Sequence, residues 1–180
     1  MSDISRRRFI DSTVALGVAC GSVAAATQPA IAAESGGAKD DISIAQWALV
    51  NEVREGKWTT LDFPRIAREV FDINGIEFVS TLFELPKYEY LKKLRKNAEE
   101  HDVKMVLIMV DDEGETCSPD AAERRQTAIN HHKWVDVAEF LGCHAIRTNC
   151  RGPKNAPRQE ALEWAADTYQ RLLDYAVPMG

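Results

Sequence analysis

Apolar residues follow two alternating patterns along this chain from about residue 41 onward. Four short runs are almost continuously apolar, which is typical of β-strands buried in a parallel sheet. Each run is followed by a longer segment whose apolar residues recur every three or four positions, as on one face of a helix. Strands that alternate with helices predict an α/β fold with parallel strands. The predicted strands are 42–47, 76–79, 103–110 and 144–149.

Local signals mark where the predicted helices begin and end. Asp62 suits the position before a helix, and Pro64 suits its first turn. Asn74 and Gly75 form a turn into the second strand, and Gly142 ends the third helix. The predicted core stripes include Phe63, Ile66, Ala67, Val70 and Phe71 on the first helix, and Leu162, Ala165, Tyr169, Leu172 and Ala176 on the fourth.

The first 33 residues predict an export signal. Arg6 and Arg7 lie in Ser-Arg-Arg-Arg-Phe-Ile, which resembles the twin-arginine signal. A weakly apolar run at 14–26 and the small residues Ala30-Ile31-Ala32 follow, in the order of a signal peptide and its cleavage site. We therefore expect export by the twin-arginine route to a periplasmic or extracellular location.

Two alternatives for residues 1–33 stay open. An uncleaved membrane anchor would need about 20 strongly apolar residues, and this run is shorter and built from small side chains, so we expect no stable anchor. Lipid attachment at Cys20 would need a bulky aliphatic residue where Gly17 stands. A polar linker at 34–40 then leads to one domain at 41–180.

The charge of the chain argues against a nucleic-acid partner. Residues 1–32 hold three arginines and two aspartates, so their removal changes the net charge from −6 to −7. No basic stripe occurs, and nucleic-acid binding needs clustered lysine and arginine to displace counterions.

The cysteines do not predict a disulfide framework. Three of them, Cys117, Cys143 and Cys150, remain after residue 33, and an odd number cannot pair completely. Cys143 and Cys150 stand at either end of the fourth strand, roughly 23 Å apart in extended chain, which is far beyond disulfide reach. We expect buried or unpaired thiols.

Three segments resemble the sugar phosphate isomerase/epimerase family, the xylose-isomerase-like group of TIM barrels. They are Leu61–Ala67 (LDFPRIA), Gly75–Val79 (GIEFV) and His132–Asn149 (HKWVDVAEFLGCHAIRTN). The third segment is the most specific, and the resemblance extends over about 41–176. It implies a (β/α)8 barrel, of which the four βα units here form the N-terminal half. Because the chain ends at Gly180, where a fifth strand is expected, we expect a truncated barrel.

The resemblance also implies chemistry. Such enzymes hold one divalent metal, manganese, magnesium or zinc, and move a proton of a small sugar through an enediolate during isomerisation or epimerisation. The metal ligands and proton-moving glutamates of the family lie at the ends of strands five to eight. No catalytic or metal-binding residue can therefore be assigned here, and we expect no metal bound by this chain alone.

Five residues are predicted to bind substrate. Gln46 and Trp47 lie near the rim of the first strand, and Glu77 lies within the second, where a carboxylate needs a partner or a polar cavity. Arg147 and Asn149 share one face of the fourth strand, because residues two apart point the same way. Arg147 is expected to pair with Glu77, and Asn149 to bind a sugar hydroxyl; a structural ion pair is the alternative for Glu77.

Two aspartates and the four histidines are not predicted to bind substrate. Asp111 and Asp112 either reach a metal or form part of a surface loop, and the loop is favoured. All four histidines, at 101, 131, 132 and 144, are expected to be structural.

Three functions compete at this point. The first is an exported sugar isomerase or epimerase that is inactive alone. The second is a non-catalytic or vestigial half-barrel that must pair with another chain, such as a homodimer formed through open sheet edges. The third is an endonuclease-like member of the same superfamily, which the missing early histidines and the acidic charge disfavour. A four-stranded doubly wound sheet is the structural alternative.

Overall fold

The computed structural model describes residues 42–179. The predicted export signal, with Arg6 and Arg7, and the predicted linker at 34–40 lie outside these residues and stay predictions. Within 42–179, none of the helices combines the length and the apolar character needed to cross a bilayer.

Strands and helices alternate along the described residues as the sequence predicts. The strands are β1 (Ser43–Ala45), β2 (Gly75–Val79), β3 (Lys104–Val110) and β4 (Ala145–Thr148). The α-helices are α1 (Val50–Arg54), α2 (Phe63–Phe71), α3 (Tyr88–Glu100), α4 (Ala121–Leu141) and α5 (Arg158–Ala176). Short 3-10 turns occur at Gln46–Leu49, Thr60–Asp62, Ser80–Leu82 and Val177–Met179.

The four strands form one open parallel sheet in the order β1-β2-β3-β4. The predicted α/β class with parallel strands is therefore confirmed. Each strand lies beside the strand that precedes it in the chain, as in a barrel, whereas a doubly wound sheet reverses its strand order at a switch point. The alternative of a doubly wound sheet is thus excluded for the described residues.

The two faces of the sheet differ because successive side chains of a strand point to opposite sides. Ile76 and Phe78 of β2 and Ile108 and Val110 of β3 are almost fully buried in the main core, against α2, α3 and α4. The other face carries Glu77, which pairs in register with Leu107 of β3. Residues on this second face, rather than the helix-covered face, are available to form a site.

Two of the predicted core stripes need correction. Val70 and Phe71 are 59% and 40% exposed, because they lie in the last turn of α2, before Asp72 ends the helix in the left-handed conformation. Leu162 is 56% exposed. The other predicted positions hold better, since Ala165 and Leu172 are buried and Tyr169 and Ala176 are half-buried, and Thr168 is buried beside them.

Helices α4 and α5 pack together partly through charge. Arg124 Nε donates to Asp167 Oδ2 at 2.8 Å, and Arg171 lies 2.9 Å from the other carboxylate oxygen. These hydrogen bonds hold the pKa of Asp167 below its ordinary value, and the bond from Arg124 has the largest effect.

Candidate functional site

The first residue after each strand is polar, and together these four residues form a row along one edge of the sheet. They are Gln46, Ser80, Asp111 and Asn149, which follow β1, β2, β3 and β4 respectively. The carboxyl ends of parallel strands meet at a single edge, where α/β proteins build their sites. We call these four residues the rim row.

Hydrogen bonds connect neighbouring strand ends along the rim row. The Oε1 atom of Gln46 accepts from the backbone N–H of Val79 at 3.1 Å. Ser80 Oγ accepts from the backbone N–H of Asp111 at 2.9 Å. Asn149 Nδ2 in turn donates to the Asp111 carboxylate. Each strand end is thereby fastened to the next, so the edge is fixed from β1 to β4.

Gln46 is the innermost member of the rim row. It is fully buried, and its Nε2 donates to Thr60 Oγ1 at 2.9 Å, while the Thr60 hydroxyl donates to the Leu82 carbonyl at 2.7 Å. The observed β1 ends at Ala45, and Gln46 begins a 3-10 turn, whereas the strand was predicted to continue to Trp47. Both ends of the Gln46 amide are occupied by the protein, which indicates a structural role.

The accessible end of the rim row lies at β3 and β4. Arg147 Nη1 donates to Asn149 Oδ1 at 2.5 Å and lies 3.4 Å from Asp111 Oδ1. The Arg147 side chain is 39% exposed and that of Asp111 is 11% exposed. We call Asp111, Arg147 and Asn149 the rim cluster, since it combines a cation, an anion and an amide at a surface that solvent reaches.

The predicted pairing of Arg147 with Glu77 is wrong. Glu77 instead accepts from Ser43 Oγ at 2.5 Å, and Arg147 contacts Asp111 and Asn149. The reason is topological, because Glu77 is on β2, two strands from β4, whereas Asp111 follows the adjacent β3. Asp111 lies in the loop after β3, as the favoured of its two interpretations has it, and its carboxylate contacts Arg147.

The five predicted substrate-binding residues are therefore only partly brought together. Arg147 and Asn149 are in contact, Gln46 is buried, and Glu77 is half-buried on the same sheet face as Arg147. Trp47 is half-buried after β1, with the Arg54 guanidinium 5.7 Å from its ring centroid.

The donor set of the described residues does not fit a resident metal. Within 42–179, no three His, Cys, Asp or Glu side chains converge on one point. Two further carboxylates of the loop after β3 have protein partners. Asp112 lies 3.4 Å from Arg151, and Glu113 accepts from Trp134 Nε1 at 2.7 Å. A metal of the kind the resemblance implies thus finds no prepared set of ligands here.

A depression of about 450 Å³ lies away from the rim row. Lys104, Gly142 and His144 line it, at the amino ends of β3 and β4. That edge serves stability rather than catalysis in barrels. The rim cluster is therefore the better candidate site, although it is shallow.

Sequence reasoning missed Ser80 and the continuity of the rim row. The available signal was positional, since Ser80 follows the apolar run of β2 as Asp111 follows that of β3. The first polar residue after a predicted strand is Ser80 for β2 and Asp111 for β3. Gln46 and Asn149 fall inside predicted strands, because the first strand was predicted to end two residues too late and the fourth one residue too late.

Comparison with known proteins identifies the family. A family model described as a xylose isomerase-like TIM barrel matches residues 65–180, which is more than half of the chain. The chain belongs to this family. The resemblance drawn from the sequence motifs is thus confirmed at the level of the xylose isomerase-like TIM barrel family.

A solved structure shows the same fold as this xylose isomerase-like TIM barrel protein. It is the crystal structure of a "Putative Xylose isomerase" from Rhodospirillum rubrum, with 12% sequence identity and a TM-score of 0.56. The match covers 67% of this chain and 46% of that one, so the chain spans less than half of that protein's length. A search of curated proteins found no match.

Proposed function

We propose that this chain supplies the N-terminal half of the substrate-binding rim of a sugar isomerase or epimerase. The family match supports the reaction class, and the rim cluster supports the location. The single observation that carries the proposal is the contact of Asp111 with Arg147 and Asn149 at the carboxyl edge of the sheet.

The rim cluster suits an oxygen-rich substrate. The guanidinium of Arg147 and the amide of Asn149 can donate to sugar hydroxyl or carbonyl oxygens. The Arg147 cation also stabilises negative charge that develops on a substrate oxygen during proton transfer. Asp111 accepts from both side chains and so fixes their orientation before a ligand arrives.

The proposal leaves the proton transfer to groups outside the described residues. A divalent metal would supply polarisation of the substrate carbonyl in the complete barrel. Residues 42–179 contribute no converging ligands to it. We therefore propose that the chain alone binds sugar weakly and does not turn it over.

Sugar binding should depend on the rim cluster. We expect Arg147→Ala and Asn149→Ala each to raise the Kd for a bound pentose or hexose by about 10-fold, since a lost hydrogen bond from a charged or well-placed donor is worth about 1.4 kcal/mol. Isothermal titration calorimetry of the full chain against a panel of aldoses and ketoses would measure this.

Matched controls separate this effect from general damage. Arg125 and Asn155 are exposed residues outside the rim cluster, so Arg125→Ala and Asn155→Ala should leave the Kd unchanged. Failure of the wild type to bind any sugar of the panel, or equal loss in the controls, would contradict the proposal.

A second proposal concerns assembly, since the rim cluster lies at a sheet margin. Within the described residues, β1 and β4 each have one neighbouring strand. The N–H of His144 donates to the Val106 carbonyl of β3, so by alternation the N–H of Ala145 points away from the sheet. Such unpaired groups favour pairing with another chain, and we propose that a second copy occupies this edge.

Ala145→Pro should weaken self-association of the full chain, because proline removes the outward N–H and is tolerated in edge strands. Size-exclusion chromatography with light scattering would show dimers or larger species for the wild type and a shift toward monomer for the variant. Ala121→Pro is the matched control, because Ala121 is the first residue of α4, where proline is favoured. A wild type that is monomeric at all concentrations would exclude the proposed dimer.

A further inference from the structure

Two loops at the carboxyl edge of the sheet are in close contact beside the rim cluster. One follows β3 and contains Thr116 and Cys117, and the other follows β4 and contains Arg151 and Gly152. The backbone N–H of Cys117 donates to the Arg151 carbonyl at 2.7 Å, and that of Arg151 donates to Thr116 Oγ1 at 3.1 Å. These contacts fix the two loops relative to each other.

Gly152 shows how close the approach is. A Cβ atom at this position would lie 2.5 Å from the carbonyl oxygen of Cys117 and 2.7 Å from its Cβ. Only glycine permits this spacing. The loop after β3 is therefore held against the loop after β4 by backbone contacts as well as by hydrogen bonds.

The two loops bring together two cysteines that are 33 residues apart in the sequence. The Sγ atoms of Cys117 and Cys150 lie 3.1 Å apart. We propose that Cys117 and Cys150 are a redox-active pair that forms a disulfide between the two rim loops. Spacing in the sequence excludes the pair Cys143 and Cys150 but gives no sign of this contact between Cys117 and Cys150.

The two thiols differ in their access to solvent. Cys150 is exposed, whereas Cys117 is only 5% exposed. Burial is the main cause that raises the pKa of the Cys117 thiol. An oxidant in solution therefore meets Cys150 first, and Cys117 acts as the resolving thiol.

The oxidation balances with a small-molecule disulfide as the oxidant. The Cys150 thiolate attacks one sulfur of that disulfide and releases the other as a small thiolate, which leaves a mixed disulfide on Cys150. The Cys117 thiolate then attacks the Cys150 sulfur and expels the second small thiolate. The protein loses two protons and two electrons, and the oxidant takes them up to become two small thiols.

The bond would act on the rim cluster. Cys150 directly follows Asn149, whose backbone carbonyl already accepts from Thr116 Oγ1 at 2.9 Å. A disulfide would restrain this segment covalently and hold the Asn149 amide beside Asp111. If the chain is exported as the sequence predicts, it would meet an oxidising compartment where such a bond persists. The proposal itself does not require sugar binding.

The test measures which cysteines are joined in the folded, full chain. The Cys20→Ser variant, treated with glutathione disulfide, is quenched in acid, alkylated and digested for mass spectrometry. We expect a linked Cys117–Cys150 peptide, with Cys143 alkylated. We also expect the melting temperature to fall by roughly 5–10 °C after reduction, as for a disulfide that closes a loop of this size.

Three further variants, each made in the Cys20→Ser chain, complete the experiment. Cys143→Ser is the matched control, because burial raises the pKa of Cys143 to about 12 and leaves it a poor nucleophile. It should keep both the linked peptide and the melting shift. Cys117→Ser and Cys150→Ser should lose both. Alkylation of all three cysteines after oxidant treatment, or intermolecular Cys150 dimers in place of the internal link, would overturn the proposal. The result for the Cys20→Ser chain is decisive even if one of the three further variants does not fold.

Discussion

Phe78→Ala is expected to lower the free energy of unfolding by about 3–5 kcal/mol. Phe78 is fully buried in β2, and its ring lies 6.1 Å from that of Phe63 and 5.4 Å from that of Phe83. The substitution removes both aromatic contacts and leaves a cavity that the surrounding strands cannot close. Since domains are stable by only about 5–15 kcal/mol, a large part of the stability depends on this ring.

Phe71→Ala is the matched control for this measurement. Phe71 is 40% exposed in the last turn of α2, although its spacing in the sequence predicts a core position. Its truncation should cost less than about 1 kcal/mol. Urea denaturation followed by circular dichroism would compare the two, and equal losses would show that β2 is not the centre of the core.

The fold was largely predictable because its signals are local. The almost unbroken apolar run of β3 and the helical spacing of Leu91, Leu94 and Ala98 each depend on residues that are near in sequence. These three side chains are buried in the structure. Gly142 ends α4 in the left-handed conformation, with φ of 76°, as its position predicts.

The helix stripes at the sheet margin were less predictable. Spacing identifies a stripe on α5, but several neighbouring stripes satisfy the same period of three or four. Leu162 is exposed although the spacing predicts it inward, and Thr168 is buried, with its hydroxyl donating to the Thr116 carbonyl at 2.7 Å. A long-range polar contact of this kind leaves no periodic trace in the sequence.

The site was only partly predictable for a similar reason. The common face of Arg147 and Asn149 follows from the two-residue repeat of a strand, and the two side chains are in contact. The partner of Arg147 depends on which strands are adjacent, and the pattern alone pointed to Glu77, whereas the structure has Asp111. The contact between Cys117 and Cys150 depends on two loops whose conformations no local rule specifies.

Gln46→Leu is expected to destabilise the protein by about 2–4 kcal/mol. The substitution keeps the volume of the side chain but removes both of its hydrogen bonds. The Val79 N–H then loses its side-chain acceptor and Thr60 Oγ1 loses a donor, in surroundings where both Gln46 and Thr60 are fully buried. Each buried polar group without a partner costs about 1–3 kcal/mol.

This variant decides between the two roles proposed for Gln46. A substrate ligand would lose sugar affinity and keep its stability, whereas a residue that joins β1 to β2 would lose stability first. Gln159→Leu is the matched control, because Gln159 is exposed on α5 and donates only to Glu163, so its change should stay within about 0.5 kcal/mol. Denaturation curves for both variants would therefore show whether the buried end of the rim row supports the accessible end or binds substrate itself.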